Sequence, residues 1–253
     1  MYIPSSRVKA FVIVLSIEVL SVLVVFFPVA NGIVAVLLAI ITFLLTLIRP
    51  EWGIVILTTE LLIGSKGGLF RLGGDAQNNG GIPIRILLFS AVLGGWGIWS
   101  LRTRSWKDWS AYTKGRAIYL VLALILLQAF WRGVQAQYPA VLADANSWGM
   151  WFLLLPIIDV VFHRAEDLKR VLIPVVEAAL LWVALKTLLL FYLFSHAFPP
   201  SILETIYLWV RRTGVGEITR ASGTAYRIFF QSHIYALGVV LMLWAKQVVI
   251  PKL

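Results

Sequence analysis

Four arginines, Arg211, Arg212, Arg220 and Arg227, are interleaved with Gly214, Gly216 and Gly223. A guanidinium is planar, weakly hydrated and carries paired N–H donors that match two oxygens of a phosphate or carboxylate. That grouping therefore fits capture of an anion. Two more arginines stand beside glycines: Arg85 follows Gly80-Gly81-Ile82-Pro83-Ile84, and Arg132 precedes Gly133. The alternative for the first four is that they reach lipid headgroups or pair with Glu204 and Glu217, and Arg85 at a membrane edge can also reach headgroups. Of the three histidines, His163, His196 and His233, only His196 is placed near the arginine-rich stretch. It could act there as a base, or stand as an ordinary histidine at a water–lipid boundary. No H-x-x-H, H-E-x-x-H or carboxylate cluster has metal-ligand spacing, so no metal is expected. Gly64 to Gly81 lacks the G-x-x-x-x-G-K-[ST] pattern of a P-loop. The absence of cysteine excludes disulfides, thiolate catalysis and thiolate metal sites.

The elements that must position these residues are written in the composition. The 253 residues are 60% hydrophobic and only 13% charged. A soluble domain is about a quarter charged, and here the apolar excess falls in long blocks. The reading is a single all-α integral membrane domain covering residues 1–253, with about eight transmembrane helices. A helix crosses the hydrocarbon core in about 20 residues. The spans are expected at about 11–27, 33–48, 52–63, 82–99, 117–131, 148–162, 171–194 and 228–245, with a loop between the last two. The run from Phe11 is too long for the core of a signal peptide and reads as a retained first helix.

Short loops rich in lysine and arginine stay in the cytoplasm. The segment from Arg102 to Arg116 carries Arg102, Arg104, Lys107, Lys114 and Arg116 against Asp108, flanked by Trp106 and Trp109. Assigning it to the inside puts both termini in the cytoplasm and the arginines 211–227 outside. Arg85 and Arg132 then lie at the same outer edge, so all six can converge on one outward cavity. The formal net charge of +10 follows from this bias and from anionic lipid, and no nucleic-acid module accompanies it. Glu18, Glu60, Glu177 and Lys186 fall within spans, where ionisable groups face other helices and find partners. Glu177 and Lys186 are nine positions apart, which at 100° per residue places them on opposite helix faces.

Four stretches in this order resemble the O-antigen ligase and polymerase superfamily. They are Arg49-Pro50-Glu51-Trp52-Gly53; Gly81-Ile82-Pro83-Ile84-Arg85-Ile86-Leu87-Leu88; Arg132-Gly133 with Ala143-Asp144-Ala145-Asn146; and Arg220-Ala221-Ser222-Gly223. The resemblance implies a glycosyltransferase of the bacterial inner membrane. It would move a glycan from undecaprenyl pyrophosphate to lipid A-core or another glycan on the outer face, without cofactor or nucleotide sugar. It further implies that Arg220 binds the pyrophosphate, with Arg132 and Arg85 as weaker correspondences. Family members carry further spans and a late outer loop with a histidine base, so the resemblance is to an N-terminal portion. The competing readings are a transporter or flippase for an anionic lipid or solute, and a non-catalytic membrane remnant. A transporter should show two related halves, and none is visible.

Overall fold

The computed structural model describes residues 6–65, 68–73, 81–103, 105, 114–138, 141, 149–196, 198–222 and 225–249. Helices dominate: α1 (Ser6–Val24), α2 (Pro28–Ile48), α3 (Pro50–Gly64), α4 (Ile84–Thr103), α5 (Lys114–Gln135), α6 (Leu154–Ser195), α7 (Pro200–Thr213) and α8 (Ser232–Val249). Two antiparallel ribbons accompany them, β1 (Arg71–Leu72) with β2 (Ile82–Pro83), and β3 (Gly216–Ser222) with β4 (Ala225–Phe230).

Proline sets the first two corners. Pro28 and Pro50 each open a helix, where the missing N–H costs nothing, after an extended residue (Phe27 or Arg49). Pro28–Ile48, Ile84–Thr103 and Met150–Ser195 are long and apolar enough to cross a membrane. Their outward surface is compatible with lipid: Ile33, Leu37, Ile41, Leu44, Leu188 and Leu189 are all exposed.

The expected spans at 148–162 and 171–194 are two arms of one bent element. A 3₁₀ turn, Met150–Leu153, leads into α6, whose backbone leaves helical geometry at Arg164 (φ −142°, ψ 33°). The stretch expected as a loop before the last span is instead α7 followed by the β3–β4 hairpin. Gly214, in the left-handed region at φ 64°, ends α7 and turns the chain into β3.

Two ion pairs show that α1 and the second arm of α6 run in the same direction, Arg7 with Glu177 and Glu18 with Lys186. The main core joins α1, α3, α4 and α6 to Trp209 and Val210 of α7 and to Ile218 and Phe230 of the hairpin. We call this hairpin-bearing end the cap. At the opposite end α2, α3 and α4 meet around Thr46. A Cβ on Gly53 would collide with the Thr46 hydroxyl, and one on Gly95 would lie 2.8 Å from Thr46 Cβ. Small residues here let the three backbones close up. Among the described residues, α5 contributes nothing to either buried cluster.

Candidate functional site

In the hairpin, Arg220 pairs across the ribbon with Tyr226, and Arg227 with Thr219. Cross-strand partners share a face and successive residues alternate. Arg220 therefore lies on the face of Ile218 and Ile228, and Arg227 on the face of Glu217 and Phe229. Both arginines are exposed, on opposite sides of one ribbon. A register irregularity between Arg220 and Ser222 twists the tip further.

Arg211 and Arg212 occupy the last turn of α7, where cations complement the helix dipole. The guanidinium of Arg212 lies 5.0 Å from the ring centre of Phe26, and that of Arg211 lies 5.9 Å from Tyr207. Aromatic contact holds each head in place without neutralising it. Thr213, next in the chain, presents its carbonyl so close to Gly68 that no side chain fits there. Arg71 Nη2 lies 3.4 Å from where a Cβ at Gly68 would sit, so Arg71 belongs to this joint. Burial pushes the Arg71 guanidinium below its ordinary pKa, from a value so high that the group stays charged.

Arg85 is more committed. Its Nε donates to Glu60 Oε2 at 2.8 Å and its Nη2 to the Ser65 carbonyl, with Glu60 Oε1 3.5 Å away. Glu60 is 6% exposed and Arg85 19%. Ser65 is fully buried and lies at positive φ (55°, with ψ −93°). Its hydroxyl donates to the Val215 carbonyl at 2.7 Å. That uses its single proton, so the Ser232 hydroxyl, 2.8 Å away, donates to Ser65, as does the Ser232 N–H at 3.2 Å. Ser65 thus ties the end of α3 to the starts of the hairpin and of α8.

Arg132 is exposed on α5, apart from this joint. His196 follows α6. Its ring stacks on Tyr192 with centres 4.2 Å apart, and Nδ1 lies 3.0 Å from the Tyr192 carbonyl. A carbonyl only accepts, so Nδ1 donates in this contact and Nε2 is the ring nitrogen left facing away from it. The positions 143–146 and Gly223 lie outside the described residues.

Beneath the cap is a layer of buried charge. Glu18 takes hydrogen bonds from Lys186 Nζ and Trp182 Nε1. Lys186 also stands 4.7 Å from the Phe230 ring centre and 5.8 Å from that of Trp209. Trp209 Nε1 donates to Ser21 Oγ at 3.1 Å. Beside this layer, an apolar cavity of about 130 Å³ lies between α1, α3 and α4, with Glu60 at its wall.

The opposite end holds separate chemistry. Arg164 Nη1 donates to both oxygens of buried Glu51 at 3.0 and 3.1 Å. Buried Asp159 accepts from Trp96 Nε1 at 2.7 Å and Ser105 Oγ at 3.2 Å. Glu51 belongs to the Arg49–Gly53 stretch that carried the resemblance, and here it braces the bend of α6.

The structure therefore brings the segments that carry Arg71, Arg85, Arg211 and Arg212 together at one joint, each head with its own contact, places Arg220 and Arg227 on the ribbon beside it, and leaves Arg132 on α5. Arg71 and Ser65 were not among the residues singled out from sequence. The glycines on both sides of Arg71 were the available signal. Fold and site together define a mostly helical chain with membrane-compatible helices and a cationic cap. No family model, curated protein or solved structure matches it.

Proposed function

We propose that the chain is a polytopic protein of the bacterial inner membrane, with about eight spans, cytoplasmic termini and the cap on the outer side. In this reading it is an O-antigen ligase-like glycosyltransferase, or the N-terminal portion of one. The donor is a glycan on undecaprenyl pyrophosphate, and the acceptor is lipid A-core or another glycan. The observation that carries this is that the segments bearing Arg71, Arg85, Arg211 and Arg212 meet at one end of an apolar helical bundle. A pyrophosphate leaving group needs cations within reach, because they stabilise the charge that develops on departure.

In the transfer, an acceptor hydroxyl oxygen bonds to the anomeric carbon while the bond from that carbon to the pyrophosphate oxygen breaks. The bonding pair leaves with the pyrophosphate. The hydroxyl proton goes to a base, for which the candidate is His196 through Nε2, the nitrogen not engaged by the Tyr192 carbonyl. Arg220, carried over from the resemblance, holds the pyrophosphate. The second reading is a membrane protein that binds anionic lipid without transferring it. It is favoured by Arg220 and Arg227 facing opposite ways, which suits two separate headgroups.

The test is glycan transfer from lipid-linked donor in cells carrying this chain or its Arg220→Ala variant. Removing an oxyanion-stabilising donor costs about 100- to 1000-fold in rate, and a loss of that order is expected. Transfer unchanged in the variant removes Arg220 from the site. Donor binding with no transfer by the wild-type chain selects the second reading.

A further inference from the structure

Arg85 has two forks through which it can grip an oxyanion. The side fork, Nε with Nη2, is filled by Glu60. The end fork, Nη1 with Nη2, is blocked on one tine by the Ser65 carbonyl. No protein group among the described residues bonds to Nη1. A phosphate can take the end fork in two-point fashion only if that carbonyl withdraws.

The carbonyl is aimed by an unusual backbone. Ser65 combines φ 55° with ψ −93°, outside the regions that a residue with a side chain ordinarily populates. A side chain at such an angle persists only when its surroundings over-determine it. Here the surroundings are the three hydroxyl bonds to Val215 and Ser232, in a fully buried setting. Gly68 is pressed against the Thr213 carbonyl, and Ser65 itself is bonded to the cap through its hydroxyl and to Arg85 through its carbonyl.

We propose that Ser65 is a sprung latch and a positioning residue. Its carbonyl occupies the Arg85 fork until a phosphate-bearing headgroup displaces it, and the strained Ser65 backbone relaxes as the carbonyl turns away. The headgroup then replaces a neutral acceptor with a charged one, which strengthens the hydrogen bonds to the guanidinium. The latch rests on the reading that the cap binds phosphate, but the two are separately testable.

The paired variants are Ser65→Ala and Ser65→Gly, which differ by one methyl group and by nothing in hydrogen bonding. Alanine keeps the strain and loses the hydroxyl bonds, so the latch opens more readily. Glycine loses the same bonds but is relaxed at this angle, so the latch stays shut. Inorganic pyrophosphate binding to the full chain in detergent is the first readout, and the rate at which phenylglyoxal modifies Arg85 is the second. The alanine variant is expected to bind pyrophosphate about tenfold more tightly than the glycine variant and to react faster at Arg85. The glycine variant is expected to melt at the higher temperature. Equal modification rates and equal melting temperatures in the two variants overturn the latch. If the wild-type chain takes up no pyrophosphate while the modification rates still differ, the latch stands and the phosphate reading of the cap falls.

Discussion

Lys186 and Glu18 sit in the interior at 3% and 2% exposure, where an isolated charge would be very costly. Helical periodicity already excluded Glu177 as the partner of Lys186, because the two point to opposite sides of one helix. It could not supply the true partner, since which helices abut is a property of the packed bundle. The structure gives Glu177 to Arg7 and Lys186 to Glu18, and lays Trp209 and Phe230 of the cap over the lysine. Truncating one partner strands the other charge, whereas replacing both with apolar groups removes the problem. Lys186→Met should therefore lower stability by about 3–5 kcal/mol, and adding Glu18→Leu should recover most of it. Equilibrium unfolding in mixed detergent, followed by tryptophan fluorescence, measures both. A double variant no better than the single one would show that the pair is not the source of the loss.

At the scale of elements, legibility followed length and hydrophobicity. The end of α2 at Ile48 was readable because Arg49-Pro50 stops its apolar run, whereas α2 starts at Pro28 rather than at 33, and α4 covers Ile84–Thr103 rather than 82–99. The cap was missed although part of its signal was present. Leu203, Ile206, Val210 and Thr213 recur at helical spacing along α7. The hairpin gave less, because its strands mix Arg, Thr, Ser and Tyr and pack only one apolar face. The junction of α2, α3 and α4 was equally silent, since a glycine in an apolar run says nothing of what approaches it. Its consequence is testable. Gly53→Ala drives a methyl group into the Thr46 side chain and toward Val92, 3.0 Å away. Overpacking of this kind costs about 1–3 kcal/mol. Adding Thr46→Ala makes room, and the double variant should melt closer to wild type than Gly53→Ala alone. If both melt with the wild-type chain, the three helices do not close on Thr46.

The whole molecule raises the question of depth and direction in the bilayer. Counting apolar blocks treats each as an independent crossing, yet α3 has only 15 residues. At 1.5 Å per residue it is about 22 Å long, short of the ~30 Å hydrocarbon core. It need not match the lipid, because most of it is buried among other helices. The blocks at 148–162 and 171–194 merge into one bent element for a related reason: hydropathy records length and not the angle at Arg164. A firmer constraint comes from the hairpin. Its outer edges leave backbone N–H and C=O groups unpaired, which the hydrocarbon interior does not tolerate. A cap of this kind belongs in headgroups or water, and under the proposed topology the starting ends of α1 and of the second arm of α6, which run parallel, lie on the other side. The chain has no cysteine, so single-cysteine variants report cleanly on sidedness. Thr219→Cys, exposed on the hairpin, should react with a membrane-impermeant maleimide in intact spheroplasts. Glu166→Cys, two residues past the bend, should react only after permeabilisation. The reverse pattern would invert the topology and place the arginine cap in the cytoplasm, out of reach of an outer-face donor.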